Sequence, residues 1–232
     1  LNQPGLSAYL DGTPLDLATH CIQQRELWAL DSRLGIALDG VRRTVADGQI
    51  YTAETVAMAN DRGFLVGIDG AAGLLPEGGL VRLGGDGRGA ELIPCSVKMP
   101  SPDWRRIADE KRFRLLLTTP GLFAAGWQVP GLSQTGGRWL WRGQGFSASL
   151  KAACVSRGEV VSGWDIANHR PKEALRVAPT GSVYFFDEFS GDVAALKNLT
   201  EEGLWPLVEN ADQSRRAEGF NNILIAAWPR HD

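Results

Sequence analysis

The sequence predicts an α+β chain built mostly from antiparallel sheet. Three observations carry that expectation. Short β-branched and aromatic runs recur along the chain, bounded by turn residues. Few segments repeat apolar residues at helical spacing. Glycine occupies 28 of 232 positions, against a typical share of about 7%, so tight turns and close backbone approaches abound.

Taken in order, 34–38 is a short apolar strand. Residues 49–57 and 64–68 read as two strands joined at Asn60-Asp61-Arg62-Gly63. A glycine-rich connection spans 70–89, and 90–97 is the next strand. Residues 102–110 (PDWRRIADE) form a helix, with Ser101 as N-cap, Pro102 at its first position, and Trp104, Ile107 and Ala108 facing inward. A strand at 112–118 follows, then a second glycine-rich connection over 131–145. Strands are expected at 153–163, 175–186 and 220–227. Between the last two, 192–198 is helical with Ser190 ahead of it, and 202–211 holds a short helical piece around Pro206.

Composition narrows the function classes. No apolar run approaches the roughly 18–20 residues of a membrane span, and no signal peptide is visible. Cys21, Cys95 and Cys154 are few, odd in number and far apart, which fits a reducing cytoplasm and no disulfide scaffold or zinc site. The chain opens at Leu1 without an initiator methionine, so it is expected to belong to a longer protein.

The net charge of −3 hides a pattern. Residues 9–91 carry twelve acids and seven arginines, and 187–212 carry seven acids and one lysine. Between them, 133–158 holds four basic residues and no acid. An anionic partner suits the middle, and basic partners suit the ends. Arginine outnumbers lysine by 19 to 5, a bias that suits bidentate phosphate contacts and stacking on bases.

Three stretches have the composition of a binding site. The first, Arg82-Leu83-Gly84-Gly85-Asp86-Gly87-Arg88-Gly89, nearly matches a dinucleotide fingerprint, yet Glu91-Leu92-Ile93-Pro94 after it reads as strand instead of helix. Two readings stay open: a glycine loop that lets phosphates approach main-chain N–H groups, or a plain hairpin turn. The second, Arg138-Trp139-Leu140-Trp141-Arg142, puts both tryptophans on one strand face, as a stacking surface or as part of the core. The third, Gly163 to Lys172, is a polar loop between strands and includes Trp164, Asn168, His169 and Arg170. Catalytic arrangements are thin. His20 beside Cys21 makes no dyad, Asp187-Glu188 reads as a solvated strand end, and the hydrolase, P-loop and metalloprotease motifs do not occur.

Several phrases in order resemble a known family. They are Arg33-Leu34-Gly35-Ile36, Gly48-Gln49-Ile50-Tyr51-Thr52, the 82–88 loop, Gly163-Trp164-Asp165, Pro171-Lys172, Ala178 to Phe186, and the ending from Gly219-Phe220 to Trp228. Together they resemble the third subunit of the type III-B CRISPR (Cmr) RNA-guided effector complex, of the RAMP superfamily. The resemblance spans residues 6–228. It implies tandem ferredoxin-like (RRM-like) domains with antiparallel sheets, over 1–119 and 120–232. The family's extra N-terminal strand and helix are absent here, so the first domain is expected to be incomplete.

The resemblance further implies a non-catalytic, cytoplasmic subunit without cofactor or metal. Such a subunit grips the 5′ handle of the CRISPR RNA and docks on the large polymerase-like subunit and a backbone RAMP subunit. Charge and loop position then select Arg33, Arg82, Arg88, His169, Arg170, Lys172 and Arg176 for phosphates or bases, Trp164 for stacking, and Gly84, Gly85 and Gly87 for close backbone approach. The alternative is a metal-independent RAMP endoribonuclease that processes CRISPR precursor RNA, with His20 or His169 as acid or base. A carbohydrate- or protein-binding β module is a third reading, suggested by the eight tryptophans.

Overall fold

The computed structural model describes residues 1–38, 41, 42, 44–68, 70, 71, 73–84, 88–165 and 167–229. The elements run α1 (Gln3–Asp11), α2 (Leu17–His20), β1 (Trp28–Leu38), β2 (Val45–Met58), β3 (Gly79–Arg82), β4 (Gly89–Leu92), α3 (Trp104–Glu110), β5 (Phe113–Leu117), β6 (Leu132–Thr135), β7 (Arg138–Gly143), β8 (Phe146–Cys154), β9 (Glu159–Val161), β10 (Trp164–Asp165), β11 (Arg170–Pro171), β12 (Leu175–Val177), β13 (Val183–Gly191), α4 (Val193–Glu202), α5 (Gln213–Ala217) and β14 (Ile223–Ala227). A 3-10 turn at Trp205–Leu207 surrounds Pro206. The expected class, α+β with antiparallel sheets, is what the chain adopts.

Two compact units emerge. One joins 1–20 to 100–232, and the other is 21–99. This division differs from the 119/120 boundary expected from sequence, because β5 pairs on both sides with strands that lie beyond residue 120.

The larger unit is organised by a six-stranded sheet in the order β14-β5-β13-β8-β7-β6. Every pairing in it is antiparallel. β5 and β8 therefore run the same way with β13 between them, and α4 connects β13 to β14. That is the strand order of a ferredoxin-like β-α-β-β-α-β unit. The first crossover carries the β6–β7 hairpin where that pattern has a helix. Gly136 and Gly137 turn this hairpin with φ of 59° and 78°, as a two-residue type I′ loop requires.

Alternation sends Phe113, Leu115 and Leu117 of β5 to one face, where Tyr184 and Phe186 of β13 and Ile223 and Ile225 of β14 join them. Ile107 of α3 and Leu196 and Leu199 of α4 close the core. Each such side chain contributes about 1.5–3 kcal/mol on burial. Trp141 is fully buried, 4.8 Å from Phe186 and 4.7 Å from Phe146, and its indole N–H donates to the Pro130 carbonyl at 2.8 Å. Gly131, at φ 82°, admits this approach, since a Cβ there would meet the Arg142 carbonyl oxygen at 2.3 Å. On the other sheet face, Arg114 reaches α1. It donates to the carbonyls of Tyr9 at 2.7 Å and Ala227 at 3.1 Å, with its guanidinium over the Tyr9 ring.

Several sequence expectations need correction. The helix at 102–110 begins two residues late. Asp103 is its cap, accepting from the N–H groups of Arg105 and Arg106 at 3.0 Å, because a carboxylate there satisfies two otherwise orphan donors. Ala108 faces solvent while Ile107 is buried. Residues 64–68 are not a strand, and β2 pairs back onto β1 from Trp28↔Met58 to Leu38↔Val45. The 153–163 and 175–186 strands are each broken, at 155–158 and 178–182. The 131–145 connection is itself the β6–β7 hairpin.

In the smaller unit, β1 and β2 form one hairpin and β3 and β4 another. Leu30, Leu34 and Ile36 of β1 and Ile50 and Val56 of β2 share one face by register and alternation, and all five are exposed.

Candidate functional site

The expected RNA-binding residues fall into groups. In the smaller unit, Arg82 ends β3 opposite Gly89. Gly84 follows with φ 80° and open space around it, and the Leu83 N–H donates to the Arg88 carbonyl at 3.1 Å. These contacts bring Arg82, Gly84 and Arg88 to one hairpin end. Gly85 and Gly87 lie outside the described residues. The stretch after the loop is strand β4, so no helix N-terminus stands there to receive a dinucleotide phosphate. Arg33 sits on β1, and its Nε is 2.7 Å from the Asp31 carboxylate.

In the larger unit, Trp164, His169, Arg170, Lys172 and Arg176 are all on one hairpin arm. β9 pairs with β12 from Glu159↔Val177 to Val161↔Leu175. The Lys172 N–H donates to the Gly163 carbonyl at 2.8 Å. Beyond it Trp164 pairs with Pro171 and Asp165 with Arg170. The polar loop expected at 163–172 is therefore the outer half of a two-stranded arm.

Local chemistry shapes the tip. The Asp165 carboxylate accepts from the Asn168 side-chain amide at 2.7 Å and the Asn168 backbone N–H at 3.1 Å. These bonds hold the Asp165 carboxyl below its usual range, so it stays ionised. His169 completes the turn with φ 49°, a conformation more common for asparagine or glycine. Trp164 is 57% exposed.

The root of the arm is built differently. Val177 packs with Trp205 and Phe220, and Leu175 and Val161 lie against them. Lys172 Nζ is 2.7 Å from Glu218 Oε1, and Arg215 Nη1 is 2.8 Å from Glu218 Oε2. The Lys172 and Arg215 hydrogen bonds, in that order, keep the Glu218 carboxyl low. Lys172 is thus engaged in holding the arm. Among the described residues, Arg170 and Arg176 form no ion pair with a carboxylate, so their charges are available to an anion.

Other candidates serve the fold. Trp141 belongs to the core, as the second of the two sequence readings has it, while Trp139 is only partly buried and meets Trp127 edge-on at 5.5 Å. Glu188 pairs with both Arg138 and Lys151, and Asp187 lies 3.8 Å from Arg112. In the 219–222 loop, Asn221 is fully buried, with its Oδ1 accepting from the Leu122 N–H at 2.7 Å. His20 Nδ1 accepts from the Asp16 N–H at 3.2 Å, within the turn of α2.

Sequence reasoning missed Trp127. With Trp139, Leu150, Lys151, Ser156 and Arg176 it lines a concave groove of about 600 Å³. Only its aromatic character marked it, since the contacts that place it come from distant strands. Among the described residues no three His, Cys, Asp or Glu side chains gather as a metal site. No helix among them is long and apolar enough to cross a membrane.

The chain spans 96% of its own length in a match to a solved chain from the type III-B Cmr-beta complex bound to cognate target RNA, at 17% identity and a TM-score of 0.52. It covers 66% of that solved chain, just under two thirds of its length. A second solved chain, from the type III-B Cmr-beta complex bound to cognate target RNA and AMPPnP, gives 19% identity over 82% of this chain and 53% of that one, with a TM-score of 0.45. Among curated proteins no relative matches. The family model described as CRISPR-associated protein (Cas_Cmr3) matches residues 1–228. The chain belongs to that Cmr3 family of CRISPR-associated proteins.

Proposed function

We propose that this protein is a non-catalytic subunit of a type III-B CRISPR effector complex that grips the 5′ handle of the CRISPR RNA. Family membership supports the setting. The observation that carries the binding role is the arm, where an exposed indole and two guanidinium groups free of carboxylate partners stand on one hairpin. Arginine neutralises phosphate and an exposed indole accepts a base face, so the pair suits single-stranded RNA. Sequence recognition of a target would rest on guide pairing, with the protein holding the RNA backbone and handle.

The same reading assigns the protein to the cytoplasm and docks it on the large polymerase-like subunit and a backbone RAMP subunit. Support for docking comes from the β1–β2 hairpin. A two-stranded hairpin is marginal by itself in water, and this one exposes Leu30, Leu34, Ile36, Ile50 and Val56 on one face. A protein partner covering that face would bury the apolar stripe.

The test is to purify the full-length protein natively at mild salt and sequence the RNA that accompanies it. Small RNAs that share one 5′ segment followed by variable sequence are expected. A preparation whose RNA has no common 5′ segment would refute handle binding.

A further inference from the structure

The groove at the base of the arm has no part in the contacts described for the tip, and its lining has a definite chemical character. Trp127 and Trp139 form an aromatic corner, with ring centroids 5.5 Å apart at 66°. The lining includes Lys151 and Arg176 and contains no carboxylate. Its volume of about 600 Å³ falls within the roughly 300–1,000 Å³ of small-ligand sites.

The corner is held in place before anything binds. The Trp127 carbonyl accepts from the Tyr184 hydroxyl at 2.5 Å, and Tyr184 is fully buried in the sheet. Burial raises the Tyr184 phenol far above neutral pH, so it stays a donor. The stem of Arg176 runs along Gly158, where a Cβ would lie 3.5 Å from Arg176 Cγ. Lys151 is shared with Glu188 at 3.5 Å, while Arg176 pairs with no carboxylate among the described residues. A charge-bearing occupant is therefore anionic, and an occupant with a flat face gains from the exposed indole.

We infer that this groove receives one unpaired nucleotide of single-stranded RNA, its base against Trp127 and Trp139 and its phosphate at Arg176. The inference rests on the proposed RNA-binding role and adds a specific subsite to it. An unpaired nucleotide exposes both a π face and a phosphate, and stacking on indole tolerates any base. The arm tip then holds one stretch of the strand while the groove fixes another.

The experiment uses the full-length protein and short single-stranded RNA of mixed sequence carrying 4-thiouridine. Affinity and photo-crosslinked peptides are read together. Trp127→Ala is expected to weaken binding at least about 5-fold, the lower end of what one base–indole stack contributes, and Trp127→Phe to recover most of it. Crosslinks to peptides containing Trp127 or residues 150–158 are expected in the wild type and lost in Trp127→Ala, with crosslinks to 163–172 retained. Should Trp127→Ala fold poorly, the wild-type crosslink map decides by itself, because Arg176→Ala is expected to weaken binding through arm and groove alike.

Wild-type binding with crosslinks confined to 163–172, together with unchanged affinity in Trp127→Ala, would overturn the groove and leave the arm standing, with Arg176 then serving the arm alone. Absence of RNA binding by the wild type would overturn the RNA-binding role and the groove with it.

Discussion

Replacing Glu218 with alanine should release the arm at its root without disturbing the sheet. Glu218 receives Lys172 at 2.7 Å and Arg215 at 2.8 Å, and no other ion pair among the described residues ties the arm to the rest of the chain. Both pairs are partly solvated, with side-chain exposures of 42%, 20% and 31% for Lys172, Arg215 and Glu218. Such pairs contribute about 0.2–1 kcal/mol each. Only the Lys172 pair spans the arm and the rest of the chain, since Arg215 and Glu218 both lie outside the arm, so opening is eased by about 0.2–1 kcal/mol, or up to about fivefold in the equilibrium between closed and open arm. Hydrogen exchange reads that equilibrium amide by amide. The Lys172 amide, which donates to Gly163, and the amides of the β9–β12 ladder should exchange faster in Glu218→Ala, by up to about fivefold. The amides of β5 and β14, at the centre of the core, should not change. Equal acceleration in both places would refute the reasoning, because the substitution would then act through global stability. No acceleration in the arm would refute it too, showing that the apolar root alone sets the arm's order.

Three more expectations follow from the same structure. Because the folded Glu218 carboxyl titrates below its ordinary value, its contribution is complete above about pH 4.3 and is lost as pH falls through the depressed folded value. Arm protection, corrected for intrinsic exchange, should fall below that pH in the wild type, and the fall should be smaller in Glu218→Ala, where Asp165 is the remaining depressed carboxyl of the arm. Trp141→Ala removes a wholly buried indole and orphans the Pro130 carbonyl, so urea unfolding should show a loss of about 3–5 kcal/mol. Incubation of the intact protein with CRISPR precursor RNA should give no cleavage; products that disappear in His20→Ala or His169→Ala would establish the endoribonuclease reading instead.

How much could be read beforehand depended on how local the cause was. Strands β5 and β14 are legible because alternation and apolar runs are local patterns. The start of α1 was legible in principle: Asn2 caps it through the Gly5 N–H, Pro4 lies in its first turn, and Gly12 ends it in the left-handed region. Its few apolar residues gave no helical stripe strong enough to reveal it. The partner of β2 was not legible, since the pairing Trp28↔Met58 closes a long hairpin and a nearby turn at Asn60–Gly63 offered a shorter one. Positions 155–158 and 178–182 ran on as strand in the sequence. Gly158, Pro179 and Gly181 mark where the arm leaves the sheet and rejoins it.

The candidate site divides along the same line. The composition of 163–172 exposed the tip, because indole, imidazole and guanidinium groups cluster there within a few residues. The aromatic pair Trp139 and Trp141 looked alike in sequence. The structure separates them, since Trp141 is buried against Phe186 of β13 while Trp139 is partly buried and meets Trp127. Trp127 owes its position to a hydrogen bond from Tyr184, 57 residues away, and no local pattern reports that. Lys172 carries a structural role that composition does not report. Its charge suggests a phosphate contact, and in the fold its ammonium also pairs with Glu218.

The most direct test of the central claim is the salt dependence of RNA binding. The affinity of the full-length protein for single-stranded RNA carrying the co-purified 5′ segment would be measured across a salt series, for the wild type and for Arg170→Ala/Arg176→Ala. Each phosphate neutralised on a single strand contributes about −0.7 to the slope of log affinity against log salt. If the arm holds RNA through these two guanidinium groups, the double variant binds more weakly and its slope is shallower by about 1.4. An unchanged slope and affinity would contradict the account and move the RNA elsewhere on the protein.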